Sequence, residues 1–214
     1  MKYDVVIVAS GKGQRANLGY NKAFYKMKDN KTVLEHSASL FVEDEDCVNI
    51  IIVTNEEYFS SVFNNEKIIL TTGGKERNDS VRNGLKKVES EYVLIHDAAR
   101  PFLNKESLNE VKKAVEEHKA AILAKKSIDT IKVVKDGVIV NTLDRNFVYM
   151  AETPQAFETK LLKECHEKCK DMIYTDDASI LESLGYDVYV VESKFNNKKL
   201  TVEADFLDLW LKRL

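Results

Sequence analysis

The chain is 214 residues long and 44% hydrophobic, enough for one domain built around a single core. Its net charge is −3 with both signs spread throughout, so it offers no basic face for DNA or RNA, and no apolar run is long enough to span a membrane. Cys47, Cys165 and Cys169 lack metal-ligand spacing; the odd count, with a strand starting near the N-terminus, leads us to expect a cytoplasmic protein without a targeting segment.

The first predicted element is Tyr3-Asp4-Val5-Val6-Ile7-Val8, a strand apolar enough to be buried on both faces. It runs into Ala9-Ser10-Gly11-Lys12-Gly13-Gln14-Arg15, with Lys22 seven residues beyond. Glycines at 11 and 13 let the backbone leave the strand sharply and bring N–H groups near an anion, and Arg15 and Lys22 add positive charge. This suits a triphosphate; a tight turn with solvated basic residues is the plainer alternative. Gly11-x-Gly13-x-x-Ala16 also fits the bare dinucleotide fingerprint, but residues 17–22 have no helical period and the next strand starts far too late, so that reading is rejected.

Further along, Thr32 is placed to cap a helix carrying Val33, Leu34, Ser37, Leu40 and Phe41. A strand over Cys47–Thr54, a short helix around Glu56–Phe63 and a strand over Lys67–Thr72 follow. A helix with Val81, Leu85 and Val88 leads to a strand over Tyr92–His96. Another, with Leu108, Val111 and Val115, leads to a strand over Ala120–Ala124. Such alternation predicts an α/β protein with a mainly parallel sheet flanked by helices, whose ligands sit at the carboxyl ends of the strands. Residues 126–149 break the rhythm: two apolar stretches flank Lys135-Asp136-Gly137, a hairpin signal that predicts a projecting arm. Then come an extended stretch over Tyr149–Gln155, a helix over Glu158–Lys170, a helix capped by Thr175 that ends at Gly185, and a strand over Val188–Val191. The last helix, Ala204–Leu214, is expected to pack Phe206, Leu207, Leu209, Trp210 and Leu214 into the core. No linker or repeat is evident, so residues 1–214 read as one domain plus the arm.

Two later loops carry chemistry. Gly73-Gly74-Lys75-Glu76-Arg77-Asn78-Asp79-Ser80 ends a strand and opens a helix; Gly74 lets backbone groups approach a base edge, Ser80 offers a hydroxyl, and Glu76 and Arg77 are read as a pair bracing the loop. In His96-Asp97-Ala98-Ala99-Arg100-Pro101, Asp97 is suited to ribose hydroxyls or a hydrated magnesium ion and Arg100 to a phosphate, against the plainer reading of a structural Asp–Arg pair. His96 reads as a hydrogen-bonded strand-end residue.

In order, A-x-G-x-G-x-R, G-G-x-E-R-x-x-S, H-D-A-A-R-P, D-T-[IV]-K, D-R, T-P-Q-x-F, T-D-[DE]-A-S and N-x-K-[LV]-T run through the chain. Together they resemble the 2-C-methyl-D-erythritol 4-phosphate cytidylyltransferases of the non-mevalonate isoprenoid pathway. The resemblance implies a Rossmann-like nucleotidyltransferase fold, a cytoplasmic homodimer, and magnesium-dependent transfer of CMP from CTP with release of pyrophosphate. It assigns Arg15 and Lys22 to the triphosphate and transition state, and Ala9, Ser10, Gly11, Gly13, Gly74, Ser80, Asp97 and Ala98 to CTP. Arg100, Thr130, Arg145, Thr153 and Thr175 match the positions that hold the sugar phosphate, and Lys199 a lysine that helps position both substrates. Arg145 is also counted among the catalytic residues, and Asp97 is the candidate near the metal, which is held mostly through the triphosphate. The arm becomes a dimerisation element whose Thr130 and Arg145 complete the neighbouring subunit's site.

Four positions depart from the family pattern: Asn21 where proline is usual, Ser10 where alanine is commoner, Lys75 where an acid is frequent, and Lys198 in place of an apolar residue. Asn21, with Gly13 and Gly19, leads us to expect a mobile loop around Lys22. The competing readings are a ribitol 5-phosphate cytidylyltransferase and an inactive CTP-binding dimer. Ala98-Ala99 favours the methylerythritol enzyme over the first, and the intact Arg15, Lys22, Arg100 and Lys199 argue against the second.

Overall fold

The computed structural model describes residues 1–11, 16 and 18–210, with side chains described as far as Leu207. Among these residues a sheet of seven strands forms the middle layer. In chain order it contains β1 (Tyr3–Val8), β2 (Cys47–Thr54), β3 (Ile68–Thr72), β4 (Tyr92–Asp97) and β5 (Ala120–Lys126), followed by β8 (Tyr149–Glu158) and β9 (Tyr189–Glu192). The hairpin strands β6 (Lys132–Lys135) and β7 (Val138–Thr142) pair only with each other. The spatial order is β3-β2-β1-β4-β8-β5-β9. All pairings within the large sheet are parallel except those of β8, which runs antiparallel to both β4 and β5.

Alternation along β1 distributes the core to both faces. Tyr3, Val5 and Ile7 pack toward α1 (Val33–Glu43) and α3 (Lys105–His118), joining Leu34, Phe41, Leu108 and Val111. Val6 faces the opposite layer, where α2 (Arg77–Leu85), α4 (Thr159–Lys168) and α5 (Asp177–Ser183) bury Val81, Leu85, Leu162 and Leu181. Within this apolar strand Asp4 is fully buried. Its carboxylate accepts from the backbone and side chain of Asn49 and from the Glu89 and Ser90 amides, which fixes the turn before β4.

Local signals explain most boundaries. Thr32 caps α1 in a reciprocal box with Glu35, as its spacing predicts. In the hairpin, Asp136 and Gly137 have φ of 50° and 80°, the left-handed pair that a two-residue turn requires. The arm is exposed along both strands, and Phe147 just beyond it is 84% exposed.

The structure corrects two expectations here. Helix α5 is capped by Asp176, whose side chain accepts from the Ser179 amide, and not by Thr175. Leu207 is 57% exposed, while Phe206 is buried against Ala16, Val33 and Leu200. The described C-terminal helix, α6, spans Glu203–Trp210; the side chains of Leu209 and Trp210, and all of Leu214, lie outside the described residues. Next to Lys22, the side chain of Asn21 bonds the Ala9 carbonyl and the Ala23 amide. Asn21 is buried and caps a 3-10 turn at Lys22–Phe24.

Candidate active site

The chain leaves β1, crosses to β2 and β3 on one side, and returns to β4 on the other, so the carboxyl ends of β1 and β4 form a topological switch point. A cleft of about 700 Å³ opens there. Its walls come from Ala9, Ser10 and Gly11 after β1, Asn21–Ala23, Asn55 after β2, Gly74–Arg77 and Ser80 around the start of α2, Asp97–Ala99 after β4, and Lys199. The volume is in the range of small-molecule sites. A second groove of about 540 Å³, between α3, α4 and β9, is lined by His118, Lys160, Glu164 and Tyr189 and lies away from these strand ends.

The glycine loop at the end of β3 is shaped by close approach. A Cβ on Gly73 would sit 2.4 Å from the Ser10 Cβ, and one on Gly74 would sit 2.1 Å from the Asp79 Cβ. That contact lets Ser10 and Ser80 share a hydrogen bond of 2.9 Å across the two loops, while Ser80 Oγ accepts from the Gly74 amide at 3.0 Å. Glu76 does not pair with Arg77: its amide donates to Asp79 Oδ2 at 3.0 Å, and Arg77 reaches out of the loop altogether.

Arg77 belongs to a chain of charges that runs from the interior to the cleft, where Arg77, Asp97 and Lys199 line the wall. His166 Nε2 donates to Asp177 Oδ1 at 2.9 Å, and Arg77 Nη1 donates to Asp177 Oδ2 at 2.8 Å. Arg77 Nε lies 3.8 Å from Asp97 Oδ1, and Lys199 Nζ donates to Asp97 Oδ2 at 2.6 Å. Gln155 Oε1 accepts from the Asp177 and Ala178 amides, which holds the start of α5 in place. Burial would raise the Asp97 carboxyl, but Lys199 and the Arg77 and Arg100 guanidiniums outweigh it and hold the group at about 2. Asp177 is likewise pushed up by burial and, on balance, held below the usual carboxylate range by Arg77 and His166. Both acids are therefore charged at neutral pH.

His96 is fully buried and neutral. Its Nε2 faces the Arg100 carbonyl at 3.2 Å, an acceptor, which makes Nε2 the protonated nitrogen. Nδ1 then accepts the Thr153 hydroxyl at 3.1 Å, and Thr153 Oγ1 accepts the Asp97 amide at 3.0 Å. Burial lowers the imidazole to about 4. The unfolded chain takes up this proton below about pH 6.5, well before the native state does, so stability falls as pH drops from there towards about 4. Between pH 7 and pH 5 the loss from this one group is about 2 kcal/mol. Urea unfolding of wild type and His96→Asn at both pH values should show that difference shrinking by this amount in the variant; an unchanged difference contradicts the neutral assignment.

The structure brings together most of the residues singled out from sequence. Ala9, Ser10, Gly11, Lys22, Gly74, Ser80, Asp97, Ala98 and Lys199 share the cleft. Lys22 Nζ donates to the Leu200 carbonyl at 2.7 Å, which brings it beside Lys199 from the far end of the chain. Arg15 and Gly13 lie outside the described residues. Thr130, Arg145, Thr153 and Thr175 do not line this cleft: Thr153 is buried behind Asp97, Thr175 is exposed before α5, and Thr130 and Arg145 are exposed on the arm. Arg145 Nη1 donates to the Ile128 carbonyl at 3.2 Å, within the arm itself. Arg100 is buried, with Nη1 donating to the Asn197 carbonyl at 2.7 Å and Nη2 to the Ala151 carbonyl at 3.3 Å. Sequence reasoning missed the reach of Arg77 and the roles of Asp177, His166 and Gln155. Only the motifs G-G-x-E-R and T-D-[DE]-A-S hinted at them, since Arg77 and Asp177 are 100 residues apart.

Comparison with known proteins matches this arrangement. The family model for IspD, 2-C-methyl-D-erythritol 4-phosphate cytidylyltransferase, matches residues 3–209. The 2-C-methyl-D-erythritol 4-phosphate cytidylyltransferase of Halalkalibacterium halodurans is 39% identical, over 97% of this chain and 95% of that protein. Its counterpart from Clostridioides difficile is 38% identical, over 95% of this chain and 90% of that one. Among solved structures, the crystal structure of 4-diphosphocytidyl-2C-methyl-D-erythritol synthase from Anaerococcus prevotii superposes with a TM-score of 0.87 at 29% identity, covering 99% of this chain and 96% of that one. The Francisella tularensis cytidylyltransferase gives 0.84 at 28% identity, over 99% and 100%. This chain belongs to the 2-C-methyl-D-erythritol 4-phosphate cytidylyltransferase family.

Proposed function

We propose that the cleft binds CTP and that the protein transfers its cytidylyl group to 2-C-methyl-D-erythritol 4-phosphate, releasing pyrophosphate. Family membership over residues 3–209 supports the activity. The observation that carries the placement is the convergence of Lys22, Lys199 and Asp97 with two close-packed glycine loops at one strand-end cleft. In this reading Ser10, Gly11, Gly74 and Ser80 hold the base and ribose, with Asp97 and Ala98 on the ribose side. Gly11 has nothing within 4 Å of where a Cβ would stand, which leaves room for the ligand.

The acceptor is a phosphate monoester, with a second pKa near 6, so its attacking oxygen is already an anion at neutral pH and needs no strong base. That oxygen attacks the α-phosphorus of CTP, the bond to the α,β-bridging oxygen breaks, and pyrophosphate leaves with the electron pair. The obstacle is repulsion between anions and the charge that grows on the leaving oxygen. Lys22 and Lys199, with Arg15 as the third cation, would hold the two phosphates in line and stabilise that charge. Among the described residues no cluster of three or more metal-ligating side chains occurs, and two carboxylates, Glu76 and Asp97, line the cleft. One or two carboxylates plus substrate phosphates are an ordinary setting for magnesium, and Asp97, at the end of β4, is the residue that would share such an ion with the triphosphate. Bound there, the ion would neutralise phosphate charge.

The cleft of one chain lacks Thr130 and Arg145, which supports a homodimer in which the arm of one copy completes the site of the other. Val134, Val138, Ile139, Val140 and Phe147 form the exposed apolar surface that such a contact would cover. No helix among the described residues is long and apolar enough to cross a membrane, and a cytoplasmic location fits this reading. Arg145→Ala should raise the KM for the sugar phosphate by about 10–100-fold, the loss of one charge-assisted hydrogen bond, with the KM for CTP within about twofold. A larger effect on CTP contradicts the arm assignment. The reading as a whole is tested by coupled pyrophosphate release with methylerythritol phosphate and ribitol 5-phosphate in parallel wells. Release only with the former is expected; release only with the latter keeps the cleft and overturns the acceptor.

A further inference from the structure

We infer that Asn21 is a positioning residue whose side-chain amide sets where Lys22 stands in the cleft, an inference that rests on the cytidylyl-transfer reading above. The amide works in two directions at once. Its nitrogen donates to the Ala9 carbonyl at the end of β1, and its oxygen accepts from the Ala23 amide at 3.0 Å. The first bond joins the turn to the loop that starts the nucleotide wall; the second caps the 3-10 turn in which Lys22 is the first residue. Asn21 also donates its own N–H to the Tyr58 hydroxyl at 3.2 Å, and the Tyr58 ring stacks on Phe24 with centroids 4.6 Å apart. The Ala9 carbonyl is shared with Thr54 Oγ1 at 3.2 Å, so the anchor point is itself fixed to the end of β2.

The geometry leaves Lys22 little freedom at its base. Its backbone sits between Asn21, bound on both sides, and Ala23, whose amide is committed to Asn21, and the four-carbon stem carries the ammonium from there to the Leu200 carbonyl. A lysine that must meet a developing negative charge benefits from such preorganisation, and small displacements far from the reacting atoms cost rate. Asn21 lines the same cleft but is buried, with both ends of its amide engaged by the protein. It therefore acts through Lys22 and not on the substrate.

The test is a double-mutant cycle on the full-length protein, with pyrophosphate release as the readout. Asn21→Ala should lower kcat roughly tenfold with the KM for both substrates within about twofold, because placement is lost and binding groups are kept. Lys22→Ala sets the floor, and adding Asn21→Ala to it should lower kcat by less than about twofold. Asn21→Ser, a good cap that is too short to reach Ala9, should behave like Asn21→Ala and serves where the alanine variant folds poorly. A kcat within about twofold of wild type in both single variants overturns the inference, and so do losses that multiply in the double mutant. Amide hydrogen exchange at Ala23 and Phe24 reads the clamp without turnover: faster exchange in the variants supports it and unchanged protection overturns it. A wild type without pyrophosphate release would instead overturn the proposed function, leaving the clamp to be judged by exchange alone.

Discussion

Lys22→Ala should lower kcat by about 10²–10³, the scale of removing one preorganised charge donor from a site where negative charge develops. Lys22 comes from a turn close to the N-terminus, yet its ammonium donates to the carbonyl of Leu200, beside Lys199, so the two cations face the same space. In the transfer reaction that space is where the α-phosphorus and the leaving oxygens must stand. Because Lys22 would act more on the transition state than on bound CTP, kcat should fall further than the KM for CTP rises. Steady-state kinetics on the purified variant, with circular dichroism to confirm folding, decides this. A kcat near that of wild type removes Lys22 from the mechanism.

Asp177→Ala should cost about 3–5 kcal/mol of folding stability, the usual penalty for removing one partner of a buried ion pair. Asp177 is fully buried and accepts from both Arg77 and His166, so its loss leaves an arginine and an imidazole nitrogen without their acceptor. The effect should extend into the cleft, because Arg77 is one of the three basic side chains, with Arg100 and Lys199, that flank the Asp97 carboxylate. Urea unfolding at pH 7 measures the first part; a loss below about 1 kcal/mol contradicts the view that this chain of charges is coupled. Acid should act in the same direction. Asp97 and Asp177 have lowered values in the native state, so the stability they contribute is present above the ordinary carboxylate value of about 3.9 and is lost as pH falls below it, towards about 2 for Asp97.

The parts of the fold that were legible in sequence are those set by local chemistry. Strands β1 and β2 follow from β-branched runs and the observed bounds coincide with the predicted ones. The Asp136-Gly137 turn needed left-handed residues and has them. Where two neighbours are both good caps, local preference does not choose, and Asp176 took the role given to Thr175. The direction of β8 was hidden for a different reason: an extended run of ten residues looks the same whether it enters a sheet parallel or antiparallel. In the site, the order of motifs brought the cleft residues together, but not the links between them. Arg77 meets Asp177 across 100 residues of chain, a contact made by packing α2 against α4 and α5, which periodicity does not encode. Asn21 was legible only as a departure from proline; that its amide would take over the tie to β1 depends on the carbonyl of Ala9 pointing back at it.

Phosphorus NMR of the protein with CTP, magnesium and 2-C-methyl-D-erythritol 4-phosphate tests the central claim most directly, because it shows which phosphorus is attacked and what it becomes. Loss of the triphosphate signals should be matched by free pyrophosphate and by two coupled signals from a new diphosphate diester joining cytidine to the sugar. Unchanged substrates, or CTP broken down without that diester, would contradict the account.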